Sequence, residues 1–300
     1  MGKKKQEEDA KLMKKKAKEA KKAAEGKKVE KSAKKAKKIE EAAESEFHSI
    51  ETVEDLEDAV RRGVTFEETD FSGSDLADAK LAGIVLRDSN LAGVDLSGAD
   101  LSKADLSGAI LAGAMLAGAK LDNAILVGAD LSGATLTNAS AKMADFMGAD
   151  LSGCDAAEAN FKNANLYEVR LSGADLSEAN LDGAILVQAD LSGAALFKAS
   201  LKKAQLEDTD LSGADLAEAR FDGSLLMGAD FSGSNAEKTN FSKANASESD
   251  FSGAALDQAK FDKADLSESD FSGVSVIGAS FKGAEMKGID VEELDGAKGL

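Results

Sequence analysis

The sequence predicts an all-β solenoid with an α-helical N-terminal extension, and three observations support this fold class. A large apolar residue, replaced by Ala at four positions, recurs at every fifth position from Phe66 to Val291 without an insertion. Nearly verbatim Asp-Leu-Ser-Gly or Asp-Phe-Ser-Gly segments return at intervals of 20 residues. The 300 residues include 28 Gly but no Pro and no Trp, which is not the composition of two ordinary globular cores. A fixed internal period of this kind is typical of stacked structural repeats.

The chain begins with a basic tail at residues 1–38, in which 17 Lys face six acids for a net charge of +11. Ala fills most of the other positions, and the few apolar residues offer little to bury, so we expect a marginal, solvated helix or no stable structure. Residues 39–63 have a net charge of −7, and residues 64–300 a net charge of −22. This opposition predicts either two separate binding surfaces or a tail that folds back on its own acidic body.

Residues 39–63 are predicted to form an acidic amphipathic helix that caps the solenoid. Apolar residues recur there at helical spacing, at Ile50, Val53, Leu56 and Val60. Arg61 and Arg62 followed by Gly63 are typical of a helix end. The end of a β-solenoid exposes unpaired backbone groups and an apolar core, so a covering element is expected at this point.

The solenoid itself is predicted over residues 64–291. Its five-residue period provides 46 in-phase positions, of which 42 hold Leu, Phe, Val or Met and four hold Ala. A small or β-branched residue, mostly Ala, stands two positions before each of them. A period of five fits neither the 3.6-residue turn of a helix nor the two-residue repeat of a strand.

The unit Asp-Leu-Ser-Gly-Ala, at 95–99, 130–134, 190–194 and 210–214, resembles the A(D/N)LXX unit of the pentapeptide-repeat family. The resemblance covers roughly residues 64 to 291. It implies a right-handed quadrilateral β-helix with four pentads per coil, in which the central residue and the small residue both point inward. The 20-residue recurrence supports four pentads per coil independently, and 46 pentads then make about 11 to 12 coils. The family also implies that the thinly covered C-terminal segment, residues 292–300, could be capped by a second copy in a homodimer.

Two of the four predicted sides carry opposite charge. The first, here called the acidic ladder, places a carboxylate on successive coils at Asp130, Asp150, Asp190, Asp210, Asp230, Asp250 and Asp270. Stacked like charges repel, so such a row is not expected to stabilise the fold unless a basic partner neutralises it. The other, here called the basic face, holds 12 of the 18 cations of residues 64–300, at Lys80, Lys103, Lys120, Lys142, Lys162, Lys202, Lys203, Arg220, Lys243, Lys260, Lys263 and Lys282.

A third side is predicted to present apolar residues outward. This apolar stripe consists of Val85, Ile125, Val127, Met147, Tyr167, Ile185, Val187, Leu225 and Met227. The part from Ile125 to Met227 spans about five coils, or roughly 25 Å, which is long enough for a partner helix or strand to lie along it. Because isolated apolar residues are normal on protein surfaces, the sequence leaves open whether the stripe has a function.

The sequence offers little catalytic chemistry. His48 is the only His, and the abundant Ser residues stand in repeated Ser-Gly slots without a base, so we expect no enzyme, cofactor or metal site. Cys154 occupies a small inward slot and is expected to be a buried, inert thiol. One Cys, no apolar run near 18 residues and no recognisable signal peptide together predict a cytoplasmic protein.

Two functions remain open on the sequence alone. The favoured one is a non-catalytic interaction scaffold that docks a protein partner along the solenoid. Its basic tail would act as a tether, through weak contact with a polyanion or an anionic membrane. The alternative follows from the family resemblance: some pentapeptide-repeat proteins resemble duplex DNA and bind DNA gyrase. The basic face and the basic tail depart from that acidic pattern.

Overall fold

A computed structural model describes residues 52–289 and 294–299. The basic tail, His48 and Val291 lie outside these ranges, as does most of the predicted cap segment. Within them, one α-helix precedes a solenoid of stacked coils.

The helix α1 spans Val53–Arg62. Glu54 and Asp55 lie in its first turn and two arginines in its last, which complements the helix dipole at both ends. Gly63 follows with a φ of 79°. The amide of Gly63 donates to the carbonyl of Val60 (2.9 Å) and that of Val64 to the carbonyl of Ala59 (3.0 Å). This left-handed glycine ends the helix by satisfying its last carbonyls.

Helix α1 also closes the open edge of the first coil. Leu56 and Ala59 are buried, and Glu57 Oε1 accepts the backbone N–H of Lys80 at 2.8 Å. One coil later, the equivalent amide of Asp100 donates to the carbonyl of Ala79 in the coil below. The Glu57 carboxylate therefore takes the place of a backbone carbonyl that the first coil lacks.

Each pentad contributes one parallel bridge and one turn. The amide of Asp130 donates to Ala109 of the preceding coil (3.0 Å), and that of Leu131 to Asp150 of the next (2.6 Å). The amide of Ala134 returns to the carbonyl of Leu131 at 3.0 Å and closes the turn. The bridges join residues 20 apart, as Asp130 and Asp150, so four pentads make one coil as the sequence predicts.

The described residues of the solenoid form isolated bridges and no extended strands. Each side has a single bridge residue instead, because the chain must turn a corner within every five residues. The corner needs a left-handed residue two positions after the central one, with φ near 60°. Gly holds many of these slots, but Glu218 (61°) and Lys243 (62°) adopt the same backbone there. Such a residue costs energy relative to Gly, yet the stacked coils hold it in place.

From Leu76 to Phe271 the interior is a closed column of central and small residues, which are buried as the sequence predicts. Its C-terminal half contains two stacks of phenylalanine rings on opposite sides. One comprises Phe231, Phe251 and Phe271; the other comprises Phe221, Phe241, Phe261 and Phe281. Rings of the two stacks meet edge to face across the coil, as Phe231 and Phe241 do at 5.5 Å. Dispersion and ring geometry therefore bind successive coils together.

The last described residues leave the five-residue register. Ser280 pairs with Lys298, which is 18 residues on instead of 20, and the amide of Gly278 donates to the carbonyl of Gly296 at 3.1 Å. Leu294 is buried. The final coil is therefore two residues shorter, and residues 294–299 belong to it.

Candidate interaction surfaces

The apolar stripe forms two columns on one side of the solenoid. The column that follows the central residues holds Val127, Met147, Tyr167 and Val187 in four successive coils. The hydroxyl of Tyr167 donates to Gln188 Oε1 at 2.8 Å. In the bridge column, polar residues stand between the apolar ones, which are Val85, Ile125, Ile185 and Leu225.

All nine residues of the apolar stripe are half-buried, less exposed than the sequence suggested. The coils above and below lie about 4.8 Å away and cover the flanks of each side chain. The most exposed large apolar side chains are on other sides: Ile110, Met115, Met143 and Ile277. Val85 is separated from the remaining stripe by Asp105, with which it pairs and which in turn pairs with Ile125. The continuous surface therefore runs from Ile125 to Val187, because the next coil presents Gln205, Glu207 and Asp208 and separates Leu225 and Met227 from it.

Acidic residues flank this surface. Glu168 and Asp208 stand exposed in left-handed slots beside it, and Glu207, between Val187 and Met227, is buried. No Lys or Arg lies between residues 125 and 228 on this side of the solenoid. A partner's apolar segment would therefore meet carboxylates at its edges.

An ion pair that sequence reasoning missed lies at the N-terminal end of the same side. Arg87 donates to Asp105 Oδ2 through Nε (2.8 Å) and Nη2 (2.6 Å), and Nη1 lies 3.2 Å from Glu67 Oε1. Burial opposes the ionisation of Asp105, but hydrogen bonds from Arg87 and Ser107 outweigh it and hold the pKa of this carboxyl below its usual value. The only signal in the sequence is the 18-residue separation, which places two opposite charges on one side in adjacent coils.

The acidic ladder is interrupted, and its carboxylates have a structural role that the sequence analysis did not foresee. Arg170 stands between Asp150 and Asp190 and donates to Asp150 Oδ2 at 2.7 Å. The Oδ1 atom of every ladder aspartate accepts the amide of the serine two residues later, at 2.7 to 3.0 Å. The expectation that the row does nothing for the fold was therefore wrong, because each carboxylate also closes its own turn. For Asp270 this bond lowers the carboxyl pKa.

The basic face has its positive charges outermost. Of its twelve cations, all but Lys142 and Lys202 are exposed. Four of its five carboxylates accept hydrogen bonds from the neighbouring coil. Asp122 Oδ1 accepts from Ser140 Oγ (2.6 Å) and from the Lys142 amide (3.0 Å). Asp182 makes the same two bonds with the coil above it. The side therefore presents ammonium groups above half-buried acids.

Other chemical groups are sparse in the described part of the chain. Cys154 is buried, and burial raises the pKa of its thiol to about 12, as expected for an inert side chain. No cluster of potential metal ligands occurs among residues 52–289 and 294–299. The described segments also contain no helix long and apolar enough to cross a membrane.

Comparison with known proteins identifies the repeats. A family model for pentapeptide repeats matches eight copies in overlapping segments between residues 55 and 288. HetL, a pentapeptide-repeat protein involved in heterocyst differentiation regulation in the cyanobacterium Nostoc, is 30% identical. The aligned region covers 82% of this chain and 97% of HetL, with a TM-score of 0.31. QnrB1, a plasmid-mediated fluoroquinolone resistance protein, is 22% identical. The aligned region covers 74% of this chain and 91% of QnrB1, with a TM-score of 0.35. Among curated proteins, none matches the sequence.

Proposed function

The chain belongs to the pentapeptide-repeat family, whose members are generally non-catalytic, and from this premise we propose that it is a protein-interaction scaffold. The observation that supports this function best is the part of the apolar stripe from Ile125 to Val187. Val127, Met147, Tyr167 and Val187 stand in one column on four successive coils, and each retains part of its surface in solvent. A contiguous apolar surface with polar edges is typical of a docking site.

The partner is a protein segment that lies along the solenoid axis. The column repeats at about 4.8 Å, so four coils provide roughly 15 Å of apolar contact, about three turns of a helix. The bridge column and the column that follows the central residues both contribute, so the surface is wider than one row of side chains. The basic tail, residues 1–38, would add a salt-sensitive tether to a polyanion or an anionic membrane, separate from the contact at the apolar stripe.

We expect Ile125→Asp combined with Ile185→Asp to abolish capture of the partner from a lysate of the source cells. The fold should persist, because Asp105, Asp145 and Asp265 already occupy the same bridge slot on this side. Two new carboxylates in an apolar contact would remain desolvated and unpaired in the complex. The measurement is quantitative mass spectrometry of proteins retained at high salt.

Met115→Asp combined with Ala255→Asp is the matched control, since both residues occupy bridge slots on a different side. The control changes the net charge equally and should leave capture unchanged. Equal capture by the stripe variant and by the unaltered chain would contradict the proposal.

A second function, mimicry of duplex DNA towards DNA gyrase, is favoured by one observation. Asp190, Asp210, Asp230, Asp250 and Asp270 stand on five consecutive coils, and none forms an ion pair within the described residues. The turn-closing role of these carboxylates accounts for them without a partner, and the basic face opposes mimicry. In a gyrase supercoiling assay we expect no effect of the full chain at high micromolar concentration. Inhibition or protection there would favour mimicry over the scaffold.

A further inference from the structure

The basic face has a net positive charge, unlike the rest of the solenoid. In the five coils that begin at Ser200 and end at Gly283 it holds seven cations and two acids, a net of +5. The opposite side, over the five coils from Asp190 to Gly273, holds five aspartates and no cation. Opposite sides of a coil are separated by the apolar column, which is wide enough to hold one ring from each side, as Phe231 and Phe241 show with centroids 5.5 Å apart. Because the Debye length is about 8 Å at physiological ionic strength, a surface that touches the basic face is largely screened from the ladder.

Hydrogen bonds between coils keep the acids of the basic face away from such a surface. Asp222 Oδ1 accepts from Asn240 Nδ2 at 2.7 Å, and Asp262 Oδ1 accepts from Ser280 Oγ at 2.5 Å. Within the described residues, Lys203, Lys243 and Lys263 form no ion pair, and all three are exposed. The carboxylates thus lie against the coil while these ammonium groups project from it.

The shape and composition of the basic face match a flat, phosphate-bearing surface. Its cations are spread over all three outward columns, so they form a flat array of charges and do not line a groove. Eleven of the twelve are Lys, and no aromatic residue occupies an outward slot on this side. Single-stranded nucleic acids are usually held by aromatic stacking in a groove, whereas anionic lipid headgroups are attracted by clustered Lys without stacking. A cylindrical duplex would touch a flat face only along a line.

We propose that the basic face lies against an anionic lipid bilayer, with the acidic ladder turned away from the membrane. This orientation leaves the apolar stripe, on an adjacent side of the coil, accessible to a protein partner. The contact is electrostatic and peripheral, so it weakens as salt is added.

The left-handed turn slot provides variants that change charge without changing the backbone. Lys243 and Lys263 both have φ of 62°, and Glu218 and Glu248 adopt 61° in the same slot on other sides. We expect Lys243→Glu combined with Lys263→Glu to weaken contact of the full chain with vesicles of phosphatidylglycerol and phosphatidylcholine by about tenfold or more. Lys198→Glu combined with Lys238→Glu is the matched control, because these residues hold the same slot at 57° and 59° on another side. It should retain the contact.

A site-specific readout separates the basic face from the tail, which is present in every variant. A fluorophore is attached through Ser242→Cys on the basic face or through Ser232→Cys on the acidic ladder side, two serines in equivalent half-buried turn slots. The native Cys154 is buried and should not be labelled. With a quencher on the lipid headgroup, we expect quenching at position 242 and little at position 232. The Lys243→Glu, Lys263→Glu pair should abolish the quenching at 242 and the control pair should not.

Equal quenching at the two positions would mean that the tail alone tethers a freely tumbling solenoid, and would overturn the proposal. Absence of vesicle contact would overturn it as well. Contact that is the same with pure phosphatidylcholine vesicles would also contradict it, because that surface has no net charge. Tight binding of duplex DNA at position 242 together with no lipid contact would identify the basic face as a nucleic-acid surface instead.

Discussion

Phe241→Ala is expected to destabilise the protein by about 3 to 5 kcal/mol. The ring of Phe241 stacks on Phe221 (5.2 Å) and Phe261 (4.8 Å) and meets Phe231 and Phe251 edge to face. In the same coil, the neighbouring sides hold only Ala236 and Ala246, and neither of these side chains is large enough to fill the cavity. The substitution therefore loses the transfer free energy of the buried ring and also its packing contacts across three coils.

The measurement is the guanidinium midpoint followed by far-UV circular dichroism. Midpoints are compared instead of extrapolated free energies, since a stack of repeats need not unfold in one step. Phe197→Ala is the control, because Phe197 lies half-exposed in a turn slot, with Lys198 Nζ 4.7 Å from its ring. Its cost should stay below about 1 kcal/mol. Similar midpoints for the two variants would contradict the stacked core.

Arg87→Met is expected to destabilise the protein by about 2 kcal/mol near neutral pH. Removing one partner of a buried pair costs about 3 to 5 kcal/mol, but here the Arg87 side chain is 38% exposed and water replaces part of the loss. Asp105 would keep its bond from Ser107 while losing both guanidinium contacts.

The destabilisation by Arg87→Met should depend on pH in a defined direction. The folded-state pKa of Asp105 is lowered, so its contribution to stability is present above the unfolded pKa, near 4, and is lost as pH falls through the folded value. The difference between the two proteins should therefore shrink below about pH 4. Arg170→Met removes an exposed pair with Asp150 and should change stability by less than about 0.5 kcal/mol. A pH-independent effect at Arg87 would show that lost packing, and not charge, is responsible.

The repeat allowed the coil to be predicted from sequence because its cause is local. A buried residue every fifth position, a small residue two before it and a 20-residue recurrence together fix which side each residue occupies. The five-residue and 20-residue periods also predict which side holds the cations of the basic face, and the structure brings these cations together on one side.

What the sequence did not predict depends on side-chain directions and on contacts between coils. The turn-closing bond of Asp130 to Ser132 and the pairing of Asp150 with Arg170 involve side-chain directions that spacing does not specify. The half-burial of Tyr167 and Val187 has the same origin, since the neighbouring coils cover their flanks. The shortened last coil around Leu294 breaks the register on which the prediction depended.

The central claim, that a protein partner docks along the apolar stripe, is tested most directly by photo-crosslinking in the source cells. The photoreactive amino acid p-benzoylphenylalanine is introduced in place of Tyr167 or, as a control, in place of Phe197, which holds the same turn slot on another side. We expect one discrete crosslinked protein from position 167, none from position 197, and loss of the product when Ile125→Asp and Ile185→Asp are added. The same products from both positions, or none from position 167, would contradict the claim.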